Sequence, residues 1–237
     1  MVREIFSTVH DRYDFLNRVL SFRRDIAWRR AACRALDFPE GKGILLDLAT
    51  GTGDIALEAA RRFGAIRVLG IDLVPAMLVS ARRKALDSPD GGRIAFCVGD
   101  AISLPLPDAS VAGVTMAFGI RNVSDRMAAL REMCRVTAPG GRVVILEMSA
   151  PRNALARWFH AWYLRRVIPS LAALFSQNRE AYVYLGDSII GFPRPDEFAG
   201  MMRAAGLAEV AVRPLTFGAT WLFVGRKGGL EEDRAAG

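Results

Sequence analysis

Between residues 44 and 147 the chain alternates short apolar runs with longer segments of helical spacing, punctuated by Gly, Asp and Pro. The runs ILLDLA (44–49), RVLGID (67–72), RIAFCVGD (93–100), VAGVTMAF (111–118) and GRVVILEM (141–148) read as five strands. Helices are predicted over 54–63, 75–87 and 124–137. Repeated strand and helix units imply a parallel sheet with helices on both faces. Ligands of such a sheet sit beyond the carboxyl ends of the strands, where the topology switches. A helix over 195–205 and a closing strand pair, 209–215 and 218–226, complete the pattern.

Two segments flank this core. Phe6, Val9, Tyr13, Leu16 and Leu20 recur at alternating spacings of three and four, which predicts a helix with one apolar face, the start of a helical lid over 1–42. Residues 152–176, rich in Trp, Phe, Tyr and Leu with Arg157, Arg165 and Arg166 interleaved, predict a helical insertion extending to 194. That stretch fits either a helix lying at an anionic interface or an ordinary helix packed on the sheet with its arginines in water. The expected organisation is one domain over 1–228 with a disordered polar tail, 229–237.

Composition narrows the class. With 237 residues, 51% hydrophobic and 24% charged, the chain can bury a substantial core and is neither disordered nor fibrous. Three widely spaced cysteines, Cys33, Cys97 and Cys134, form no CxxC pair, which argues against a disulfide framework or zinc site and for a reducing cytoplasm. No apolar run reaches the roughly 18 residues of a spanning helix, and the opening residues do not read as a signal peptide. The net charge of +7 is concentrated: residues 1–42 hold nine basic and six acidic side chains, and 151–180 hold five and one. Such an excess suits nucleic acid, an anionic membrane or an acidic ligand.

The chemistry begins where the first strand runs into Asp47-Leu48-Ala49-Thr50-Gly51-Thr52-Gly53-Asp54. Glycines in this turn let the backbone approach a ligand closely. Gly51-x-Gly53-x-x-Ala56, with Asp72 about 20 residues on, satisfies the loose dinucleotide fingerprint. Asp47 and Asp54 on either side of the turn would repel a pyrophosphate and favour a cationic ligand, S-adenosylmethionine. Asp72 is then placed for the ribose hydroxyls and Asp100 for the adenine amino group. Each acid also has a plainer reading: Asp54 as a helix N-cap, Asp47 as a strand-end acid, Asp100 as a turn residue.

Further motifs are spread over most of the chain: Phe6-Ser-Thr-Val9-His-Asp-Arg-Tyr13-Asp14-Phe-Leu-Asn17, Phe118-Gly119-Ile-Arg121-Asn122, Leu146-Glu147-Met-Ser149-Ala-Pro151 and Tyr184-Leu-Gly-Asp-Ser188. With the glycine turn, they resemble the quinone-biosynthesis C-methyltransferases that act on demethylmenaquinol and on 2-polyprenyl-6-methoxy-benzoquinol. The resemblance implies a class I S-adenosylmethionine-dependent methyltransferase fold, Rossmann-like, with a seven-stranded mostly parallel sheet. It implies a lipophilic quinol as substrate partner, peripheral contact with an anionic membrane at its inner face, and leaves room for a homodimer. By position, the family's cofactor contacts fall on Thr52, Asp72, Asp100, Ala101 and Ala117. Ala117 departs from the family's small polar residue, Arg23-Arg24-Asp25 replaces Gly-Leu-His, and Phe223 stands in a closing motif that usually carries His.

For the reaction this resemblance implies, Arg121 is the candidate cation beside a developing phenolate. Asn122 either bonds the substrate or shapes its loop. Tyr13, Asp14 and Asn17 are candidates for a closing lid, with a docking helix as the plainer reading. A water held by Asp100 or Asp14 could take the ring proton. His10 and His160 are the only histidines; His10 is a base near the lid or a surface residue. No metal is required. The lack of a D/NPPY-like sequence after strand four argues against a nucleic-acid methylase, and a cofactor-binding scaffold without catalysis is the remaining rival.

Overall fold

The computed structural model describes residues 18–19, 21–38, 41–151, 153, 155, 157–158, 162–163, 166 and 179–229. Seven strands form one sheet: β1 (Lys42–Leu48), β2 (Ala65–Asp72), β3 (Ile94–Val98), β4 (Val111–Ala117), β5 (Thr137–Met148), β6 (Leu207–Leu215) and β7 (Thr220–Lys227). Their order is β3-β2-β1-β4-β5-β7-β6. The first five are parallel, and β7 runs antiparallel between β5 and β6. The chain leaves β1 towards β2 on one side and returns to β4 on the other, so the crevice between the carboxyl ends of β1 and β4 is the switch point.

Central strands buried on both faces carry unbroken apolar runs, and successive side chains serve opposite layers. On β5, Val143 and Ile145 enter one core with Trp221 and Phe223 of β7, while Val144 and Leu146 enter the other with Leu222. Helices α1 (Arg24–Ala35), α2 (Asp54–Arg62) and α3 (Pro75–Leu86) belong to the first half of the chain, and α4 (Arg126–Val136), α5 (Arg179–Ile190) and α6 (Pro195–Ala204) to the second. Trp28, Ala32, Cys33, Ile55, Ala56 and Ala59 seat α1 and α2 on one layer; Leu130, Met133, Phe198 and Met202 seat α4 and α6 on the other.

One expectation changes. Strand three stops at Val98, so Asp100 lies beyond it, in an isolated bridge with Ser103. Of the helical lid expected over 1–42, the described helix is α1, which packs on α2, β5 and β7 through the buried apolar face of Trp28, Ala32 and Cys33. The periodic stretch from Phe6 to Leu16, with His10, Tyr13, Asp14 and Asn17, lies outside the described residues, as do His160, Arg165 and the 230–237 tail. Phe223, where the family motif carries His, is fully buried against Phe198 with ring centroids 4.8 Å apart. Phe223 is thus a core residue and lines no part of the cavity at the switch point. Phe198→Ala should lower unfolding free energy by about 3–5 kcal/mol, read by chemical denaturation, because it empties the centre of this layer.

Candidate active site

A cavity of about 290 Å³ opens at the switch point. The turns after β1 and β4 close on each other there: a Cβ on Gly119 would sit 2.5 Å from the Ala49 Cβ, so only glycine fits. Ala49 and Phe118, which flank this contact, both have left-handed backbones, with φ of 49° and 58°.

Asp72, at the end of β2, ties the pocket together. Its Oδ2 accepts the Gly51 N–H at 2.8 Å and its Oδ1 the Val74 N–H at 2.9 Å, so one carboxylate pins the glycine turn and the start of α3. Burial raises its pKa, opposed by these backbone hydrogen bonds. Asp100 faces the same cavity, and its Oδ1 accepts the Ile102 N–H at 3.2 Å. Leu48, Ile71, Met77 and Met116 supply apolar walls.

Of the residues expected here, Gly51, Asp72, Asp100, Ala101, Ala117 and Asn122 line the cavity. Asp47, Thr52, Gly53 and Arg121 do not, and Tyr13 and Asp14 lie outside the described residues. Asp47 is buried beneath the glycine turn, where its two oxygens accept the Thr50 hydroxyl at 2.6 Å and the Thr115 hydroxyl at 2.8 Å. Desolvation raises its pKa to about 6, against the lowering effect of both hydroxyls. Asp54 is the first residue of α2 rather than its cap, a position held by Gly53 with φ 83°. Lys84 reaches it at 2.7 Å and also donates to the Thr52 hydroxyl, while Arg29 lies 3.8 Å away. The expected acidic collar of Asp47 and Asp54 is therefore corrected: both are held outside the cavity, and its carboxylates are Asp72 and Asp100.

Arg121 needs a second correction. Its guanidinium is buried and donates to Glu147 Oε1 at 2.6 Å and to the Phe118 carbonyl at 2.7 Å. Glu147, fully buried near the end of β5, also accepts the Arg121 and Met148 backbone N–H groups. The positive charge is spent inside the protein, fixing the Ile120–Asn122 turn, and is not bare towards the cavity. The turn instead offers Asn122, whose Oδ1 accepts the Tyr184 hydroxyl of α5 at 3.1 Å. Sequence reasoning gave Glu147 and Tyr184 no role; both stood in quoted motifs, but only the fold joins them to the FGIRN turn.

The donor set suits S-adenosylmethionine. The cavity offers carboxylate acceptors for ribose hydroxyls and an amino group, apolar walls for a purine, and no lysine or arginine among its described lining residues to pair with a pyrophosphate.

Arg121→Met should destabilise the fold by about 3–5 kcal/mol, because it strands a buried carboxylate. Adding Glu147→Leu should recover most of that loss in the same denaturation assay. Asp47 gives a pH signature. Its folded pKa lies above the unfolded value, so its contribution to stability is full below about pH 4 and is lost as pH rises through about 6. Asp47→Asn should flatten that fall in denaturation curves taken between pH 4 and 7.

Residues 1–227 match the ubiE/COQ5 methyltransferase family. The ubiquinone/menaquinone biosynthesis C-methyltransferase UbiE of Geobacter sulfurreducens is 45% identical over 228 residues, covering 96% of this chain and 88% of the relative. The demethylmenaquinone methyltransferase of Deinococcus radiodurans is 45% identical over 229 residues, covering 95% and 92%. Among solved structures, an S-adenosylmethionine-dependent methyltransferase of Thermotoga maritima superposes with a TM-score of 0.66 at 21% identity, over 96% of this chain and 100% of that one. The chain therefore belongs to the ubiE/COQ5 methyltransferase family, with the fold of class I S-adenosylmethionine-dependent methyltransferases and S-adenosylmethionine as its methyl donor.

Proposed function

We propose that this enzyme methylates a ring carbon of a polyprenylated hydroquinol, converting demethylmenaquinol to menaquinol. The observation that carries the reading is the 45% identity, over nearly the whole chain, to relatives named for that reaction. Bound S-adenosylmethionine supplies a methyl group on a positively charged sulfur. Asp72 would hold the ribose hydroxyls, and Asp100 and Ala101 would border the purine. The apolar walls exclude water, so most of the rate comes from holding the ring carbon in line with the methyl group.

A hydroquinol becomes nucleophilic at carbon as its phenol ionises. With its carbonyl oxygen taken by Tyr184, the Asn122 amide has its N–H groups left to donate to a ring oxygen in that state. Arg121 acts behind it as a positioning residue through Glu147. Once the carbon–carbon bond has formed, the ring proton leaves to a water. The polyprenyl tail would bring the enzyme to a membrane surface, and no helix among the described residues is long and apolar enough to cross one.

Incubation with labelled S-adenosylmethionine and a panel of reduced naphthoquinols and benzoquinols should give a C-methylated naphthoquinol, identified by mass and fragmentation. Methyl transfer only to oxygen or nitrogen, or to none of the panel, would overturn the reading. Tyr184→Phe should lower kcat about two- to tenfold, the worth of one neutral hydrogen bond, and leave cofactor affinity unchanged.

A further inference from the structure

Among the described residues, two phenylalanines project into solvent from left-handed turns. Phe217 is 96% exposed with φ 57°, and Phe22 is 76% exposed with φ 51°. Each pays twice, since an aromatic ring in water loses burial and a non-glycine residue at positive φ is strained. Folding alone explains neither, because Asn or Gly would serve both turns better.

The two turns are linked through Trp28, at the end of the sheet where the cavity opens. Phe217 lies between β6 and β7, whose Leu215–Thr220 pair adjoins the carboxyl end of β5. Its neighbour Thr216 accepts the Trp28 indole N–H at 2.9 Å. Phe22 stands two residues before the helix that carries Trp28. Trp28 in turn packs on Phe118 of the cavity wall, with centroids 6.1 Å apart. On the other side, Gly218 meets Pro151, from which the chain continues to the exposed Leu155 and Trp158.

Charge identifies the occupant. Exposed Arg23 and Arg24 follow Phe22, exposed Arg213 precedes Phe217 on β6, and exposed Arg157 adjoins Trp158, while Asp25, three residues after Phe22, is buried on Arg29. Projecting aromatic rings among arginines suit the headgroup boundary of an anionic bilayer, where rings enter the acyl region and guanidinium groups meet phosphates. A second copy of this basic face would repel it.

We propose that Phe22 and Phe217, with their flanking arginines, form a docking face that seats the enzyme on an anionic bilayer with the cavity mouth beside the lipid. The inference rests on the lipid-tailed quinol reading, which it deepens by naming the surface from which the substrate would enter.

The test is co-sedimentation of the full chain with phosphatidylglycerol/phosphatidylcholine vesicles, for the wild type and for Phe22→Asn/Phe217→Asn, in which Asn keeps both left-handed turns. Leu86→Asn, at another exposed apolar residue remote from this edge in the fold, is the control. Wild type and Leu86→Asn should partition equally and prefer phosphatidylglycerol vesicles to pure phosphatidylcholine. The double variant should bind at least tenfold more weakly, lose methyl transfer to a long-tailed quinol in vesicles, and keep transfer to a short-tailed soluble quinol. Equal partition of the double variant and wild type would overturn the docking face, as would a Phe217-dependent dimer with no vesicle binding. Phe-dependent binding with no quinol methylated in any form would leave the face standing and sink the substrate reading instead.

Discussion

The carboxylate of Asp72 accepts N–H groups from two separate segments, the glycine turn after β1 and the first turn of α3, and the cavity depends on that clamp. The clamp lies at the switch point, where the chain has run outwards from β1 to β2 and must return to β4. Both turns there are strained, with Ala49 and Phe118 at positive φ and Gly119 admitting no side chain. A charged acceptor is well matched to hold such a turn, because hydrogen bonds to an ionised group are stronger than neutral ones. The same carboxylate lines the cavity, so the group that fixes the loop is also exposed to whatever the cavity holds.

Behind this clamp the protein buries charge in a graded way. Asp47 is held by two hydroxyl donors, Asp54 is paired with Lys84 and Arg29, and Glu147 is paired with Arg121. None of these lines the cavity. They set the geometry of the turns that do, and the cavity itself presents two carboxylates, apolar walls and the Asn122 amide. The mouth of that cavity shares its sheet edge with projecting aromatic rings and arginines, an arrangement suited to an acceptor with a polar head and a lipid tail.

Most of the fold was legible because central parallel strands announce themselves as apolar runs bounded by Gly, Asp and Pro. All seven strands and the helices following β1, β2 and β4 fall where periodicity puts them, to within a few residues at most ends. Strand five differs at its start, because Thr137 to Gly141 extend it through a register shift beside Val111. That Gly51, Asp72 and Asp100 line one cavity was legible for the same reason: they lie at or just beyond strand ends, and strand ends converge. What local sequence cannot express is which charges cancel. Arg121 reads as a bare cation until β5 brings Glu147 to it across 26 positions, and Asp54 reads as a helix cap or an acidic flank of the glycine turn until Lys84 arrives from α3. Asn122 and Tyr184, 62 positions apart, meet only through the packing of α5.

The most direct measurement is calorimetric titration of S-adenosylmethionine into wild-type protein and Asp72→Asn at neutral pH. If this carboxylate both clamps the turn and receives the ribose, the variant should bind roughly 10- to 150-fold more weakly, the worth of hydrogen bonds to a charged group, while adenine and nicotinamide dinucleotides bind neither protein. Unchanged affinity in the variant, or retention of a dinucleotide by the wild type in preference to S-adenosylmethionine, would contradict the account.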